Sequence, residues 1–134
     1  MTEYTEILLR LVLATLAGGL IGLERELVHR PAGIRTHMLV SLGSALFALI
    51  TIEQLPNEAA RIIAGIATGI GFLGAGTIFK AKDEVHGLTT AASVWAVAAV
   101  GLSIGFGYYL MMLIAVFLIL IILQLNKFEF FRNL

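Results

Sequence analysis

Apolar residues run along this chain in five stretches, Ile7 to Leu23, Met38 to Ile52, Ile62 to Phe79, Leu88 to Ile104 and Phe106 to Leu125. Short segments between them collect most of the charge, a pattern that fits helices surrounded by lipid. The last two stretches form one almost uncharged run, which as a single helix would reach ~57 Å against a hydrocarbon core of ~30 Å. That run must fold back. Gly101, Gly105 and Gly107 mark the expected break, because glycine holds a helix weakly and turns freely. The pattern predicts an all-α polytopic membrane protein with about five short transmembrane helices, in a single domain over residues 1–134.

Composition agrees: 59% of residues are hydrophobic, 13% are charged and the mean hydropathy is +0.96, well beyond the half-apolar balance of soluble domains. The bilayer is the expected partner. Nine basic residues cancel nine acidic ones, which gives no reason to expect nucleic acid, and the lack of cysteine removes disulfides, thiolate metal sites and cysteine nucleophiles. An acidic start, Met-Thr-Glu-Tyr-Thr-Glu, is unlike a cleaved signal peptide, so the first helix is expected to stay in the protein. Basic residues sort by connection. Arg25, Arg30, Arg35, Lys80, Lys82, Lys127 and Arg132 fall on one side of a five-helix path, which predicts an outside N-terminus and a cytoplasmic C-terminus.

Within the first stretch Arg10 is expected to snorkel to the outer interface, its stem along the helix. The first helix is expected to run to Arg30, with Glu26 and Arg30 paired four residues apart and Pro31 as the stop. Glu24, Arg25 and Arg35 would then meet as one charged cluster where the Pro31–Gly33 turn reverses the chain. A shift of 54 positions superposes Gly22 on Gly76, Gly33 on Gly87 and Thr36 on Thr90, a weak sign of a parallel repeat. Gly69-Ile-Gly-Phe-Leu-Gly74 matches a dinucleotide pattern but sits inside an apolar run without the strand and acid that such a site needs. Close helix packing explains it better, as it does the four-residue spacings Gly18/Gly22, Gly65/Gly69 and Gly101/Gly105. A broken helix at Gly69 to Gly76, holding an ion on exposed carbonyls, is the sharper alternative.

No nucleotide-binding loop or catalytic triad is present, and the chain reads as a protein that is not an enzyme. His29, His37 and His86 all fall at connections, where a solvated or interfacial place is expected. Carboxylates are the natural ligands of a hard cation such as Mg²⁺, and the candidates are Glu24, Asp83, Glu84 and Glu58, none of them mid-membrane. Deeper in the spans only backbone carbonyls and the hydroxyls of residues such as Ser41, Ser44, Thr90 and Ser93 are on offer.

Four blocks in order carry a resemblance: Gly22-Leu-Glu-Arg25; Ala32-Gly-Ile-Arg-Thr36 leading into Leu39 to Phe47; Gly69 to Gly76; and Gly87-Leu-Thr-Thr-Ala-Ala92 with Trp95. Together they resemble the MgtC/SapB family of prokaryotic membrane proteins. The resemblance implies a multi-pass protein of the prokaryotic cytoplasmic membrane, linked to growth in low magnesium. Carried over by position, it points to Glu24, Arg25 and Arg35 at the inner interface, Gly71 and Gly74 in the third helix, and Thr89, Thr90 and Trp95 opening the fourth. Either threonine is expected to cap that helix. Larger members add a soluble carboxy-terminal domain, so this sequence corresponds to the membrane part. Two positions depart from the family pattern: Glu58 stands where an aspartate precedes Arg61, and Gly65 where a glutamine is expected.

Two functions remain open on these grounds. One is a magnesium-homeostasis protein that binds or passes Mg²⁺ or another cation, as a homo-oligomer and most simply a dimer. The other is a regulatory subunit that packs against another membrane complex and moves nothing.

Overall fold

The computed structural model describes residues 2–128; Arg132 lies outside them. Its elements are α1 (Tyr4–Leu27), α2 (Ile34–Gln54), α3 (Ala59–Ala75), β1 (Phe79–Ala81), β2 (Glu84–His86), α4 (Leu88–Gly105) and α5 (Tyr109–Gln124). Single 3₁₀ turns at Pro56–Glu58 and Leu125–Lys127 extend α3 and α5, and all five helical segments are then long and apolar enough to cross a bilayer. The chain is a multi-pass membrane protein. Successive helices alternate in direction between two ends. At the amino-terminal end Thr2 donates its amide to Glu53 and Arg10 reaches the last turn of α4. The hairpin end gathers the close of α1, the β1–β2 ribbon, the start of α4 and the close of α5.

Alanine, valine and glycine dominate the contacts among α1, α2 and α4, and these three helices form the core. Ala14 and Ile21 of α1, Ala45 and Ala48 of α2, and Val94, Val97 and Ile104 of α4 are buried. With no Cβ in the way, backbones come within contact distance, which in lipid replaces the missing hydrophobic drive with dispersion. A Cβ on Gly18 would stand 2.5 Å from the His37 carbonyl oxygen, and one on Gly105 2.5 Å from that of Ala45. Gly22 and Gly101 press in the same way on the backbone of Ile34 and of Ser41. Two of the three glycine pairs are thus consumed by contacts within the chain. The third is open: a Cβ on Gly65 or Gly69 would meet nothing within 4 Å. Both line an apolar groove of about 730 Å³ between α2 and α3, together with Gly43. Of α3 only Gly74 is buried, against Ala91 of α4.

Several boundaries differ from the sequence expectation. The run from Leu88 onward turns at Phe106–Tyr108, with Gly107 at φ 84°, while Gly101 lies inside α4. The Gly69–Gly74 segment is unbroken helix, and α3 ends only at Ala75. α1 stops at Leu27, three residues short of Arg30, because the chain closes on itself there. Arg30 donates its amide to the Arg25 carbonyl at 3.0 Å and His29 to that of Glu26 at 3.0 Å, with His29 at φ 55° in the left-handed position usually held by glycine. Glu26 does not pair with Arg30. Its Oε2 accepts the Ile34 amide at 2.8 Å and caps α2 across the turn. The Lys80–Gly87 connection is a two-residue hairpin with Lys82 and Asp83 both at positive φ, which matches the twist of the paired strands.

Candidate functional site

Polar side chains inside a bilayer need partners, and this chain gathers them in two places. At the amino-terminal end Arg10, expected to reach the outer interface, finds partners within the chain. Its Nε–H lies 2.8 Å from Glu6 and 3.2 Å from the Tyr109 hydroxyl, and its Nη1–H donates to the Gly105 carbonyl at 2.8 Å. The Tyr109 hydroxyl donates to Glu6 in turn. Arg10 thus ties α1 to the last turn of α4, where carbonyls lack helical partners and a cation is favoured.

The second place is the hairpin end. Glu24 and Arg25 close α1 on its inward face and are 7% and 3% exposed, with Nη1 of Arg25 3.2 Å from Oε2 of Glu24. Oε1 of Glu24 and Nε of Arg25 have no partner among the described residues. A group of this kind, desolvated without a hydrogen bond, is costly unless something else satisfies it. Glu24, Arg25 and Thr90 line a cleft of about 640 Å³ whose rim carries Arg30, His86 and Lys127. Beside it His37 is fully buried, not solvated as its place at a connection suggested. Its Nδ1 stands 2.9 Å from the Gly33 carbonyl, which only a protonated Nδ1 satisfies, and its Nε2 stands 3.0 Å from the Ser93 hydroxyl. Ser93 also lies 2.8 Å from the Thr90 carbonyl, an alternative acceptor for its single proton.

The other candidate residues scatter. Arg35 is exposed and forms no ion pair among the described residues, so the cluster expected of Glu24, Arg25 and Arg35 is a pair without its third member. Asp83 and Glu84 are exposed on the hairpin, and Glu58 pairs with Arg61 at 3.2 Å at the opposite end from Glu24. These four carboxylates do not converge. Thr89 is exposed, Thr90 is buried, and neither caps α4, whose N-cap is Gly87 with no side-chain hydrogen bond. Gly87 stands at φ 90°, and a Cβ there would strike the Thr77 carbonyl, so glycine is needed. Gly71 faces open space, Gly74 packs on Ala91, and Trp95 is 52% exposed on the apolar outer surface. Sequence reasoning missed His37 and the Glu6–Arg10–Tyr109 group. The stripe His37, Ser41, Ser44, Thr51, spaced to share one helix face, was the available signal for His37.

Residues 11–129 match the model of the MgtC family. The chain belongs to the MgtC family. It is 42% identical over 113 residues to "Putative magnesium transporter YhiD" of Escherichia coli K12, covering 78% of this chain and 53% of that protein. "Protein MgtC" of Salmonella typhimurium 14028s is 44% identical over 113 residues, 84% of this chain and 49% of its own. "Protein SrpB" of Synechococcus elongatus is 42% identical over 130 residues, 86% and 71% respectively. This MgtC-family chain spans about half the length of the first two relatives. No solved structure matches it.

Proposed function

We propose that this chain serves magnesium homeostasis in a prokaryotic cytoplasmic membrane, without catalysis, as a helical bundle that regulates or binds rather than conducts through its own interior. MgtC-family membership and a relative named as a putative magnesium transporter support the magnesium link. One observation carries the choice of mode: the axis of the bundle is closed by backbone contact, Gly18 on His37, Gly101 on Ser41 and Gly105 on Ala45. An ion moved by this protein would have to pass between copies. The side with six basic residues among those described, the hairpin end, faces the cytoplasm in this reading.

Assembly as a homodimer belongs to the proposal, with a second copy seated on the α2–α3 groove. Its lining is apolar apart from Ser44, and Gly43, Gly65 and Gly69 leave room for another helix to approach. Expression of the chain in a bacterium lacking its own MgtC-family protein tests the homeostasis reading. Growth restored in limiting magnesium supports it, and growth no better than with Gly101→Leu, at equal membrane levels of the wild-type chain, overturns it.

A further inference from the structure

At the hairpin end the first three amides of α4 point out of a helix that offers them no acceptor. The first helical bond runs from Ala91 N–H to the Gly87 carbonyl, and no side chain among the described residues caps the turn. That turn, residues 87–90, forms one wall of the 640 Å³ cleft. Helix starts attract anions through these amides and the aligned peptide dipoles. Arg25 supplies an independent sign of a ligand: it lines the same cleft, is 97% buried by its 3% exposure, and its Nε–H has no partner among the described residues. Among the described residues, Arg30 and Lys127 on the rim bring three cationic side chains against one carboxylate, Glu24. Glu24 is already joined to Arg25 through Oε2, which leaves Oε1 free to accept from a donor.

We propose that this cleft binds a phosphate group that carries a hydrogen-bond donor beside it. The phosphate oxygens accept from the α4 amides, Arg25, Arg30 and Lys127, while the adjoining donor, a hydroxyl or ammonium, satisfies Oε1 of Glu24. Two sources present this chemistry at a membrane surface, a phospholipid headgroup and free orthophosphate. The cleft lies at the carboxy-terminal ends of two apolar spans, α1 and α5, the level at which a bilayer of ordinary thickness places its headgroups.

Calorimetric titration of the full chain in uncharged detergent, at fixed ionic strength and without magnesium, tests this. The probes are dihexanoyl phosphatidylglycerol, inorganic phosphate and phosphate-free dihexanoylglycerol. Arg30→Gln with Lys127→Gln alters exposed side chains and so keeps the fold, and Lys80→Gln with Lys82→Gln removes the same charge from the hairpin. Saturable binding of the phospholipid alone assigns the headgroup; binding of phosphate that displaces the phospholipid assigns the free ion. Either should weaken about tenfold in the cleft variant, the size expected for lost charge-assisted bonds, and by less than about twofold in the hairpin variant. Absence of binding by both phosphates overturns the proposal. Equal binding of dihexanoylglycerol, undiminished binding in the cleft variant, or equal loss in the hairpin variant does so too.

Discussion

Gly101→Ala adds one methyl group where α4 lies on α2, and its Cβ would sit 2.8 Å from the carbonyl carbon and 2.9 Å from Cα of Ser41. Carbon atoms prefer ~3.5–4.0 Å, so the two helices must part by about 1 Å. The obstacle is backbone and cannot rotate away. A gap of that size forfeits a quarter to a half of each dispersion contact it opens, and one large side chain alone makes ~40–60 contacts of ~0.1–0.2 kcal/mol. Val94, Val97, Ala98 and Ile104 are all buried on the same helix, so the loss should be ~2–4 kcal/mol. Gly65→Ala is the matched control. It meets nothing within 4 Å, and alanine holds helix better than glycine, so stability should stay level or rise. Reversible unfolding of both variants as detergent-dispersed monomers reads the difference. Equal stability of the two variants would refute the closed-core argument.

Three further outcomes are expected. Arg25→Ala leaves buried Glu24 without its cation and should cost ~3 kcal/mol in the same assay, whereas exposed Arg35→Ala should change stability by less than ~0.5 kcal/mol; equal losses would restore Arg35 to the cluster. His29→Gly relieves a left-handed residue at the close of α1 and should raise stability by ~1 kcal/mol, which a lower melting temperature would contradict. Gly65→Leu fills the α2–α3 groove and should abolish the cross-linked dimer in native membranes while the monomer stays folded, and an undiminished dimer band would move the interface elsewhere.

Hydropathy alone located the five helices, because a span must be apolar along its whole length whatever it packs against. Their ends were less legible. Arg30 looked helical from its spacing to Glu26, yet Glu26 serves the amide of Ile34 across the turn, a contact eight residues away in sequence. Arg10 looked like an interfacial stray because its acceptor, the Gly105 carbonyl, is backbone, which sequence does not distinguish. Two glycine pairs, Gly18/Gly22 and Gly101/Gly105, read correctly as packing faces, but only the folded chain separates them from Gly65/Gly69, which meet nothing within it. Of the candidate site, Glu24 and Arg25 came through the four sequence blocks, while His37 was hidden by its nearness to a connection and became buried because Gly18 and Gly22 let α1 close over it.

The central claim is that a bundle closed by backbone contact does not conduct. Purified chain reconstituted at a protein-to-lipid ratio low enough to leave one copy per vesicle, around a magnesium-sensitive dye, tests it directly. Magnesium entry equal to that of protein-free vesicles is the predicted result. Entry above that control, lost in Gly101→Leu, would show a path through the single chain and contradict the account.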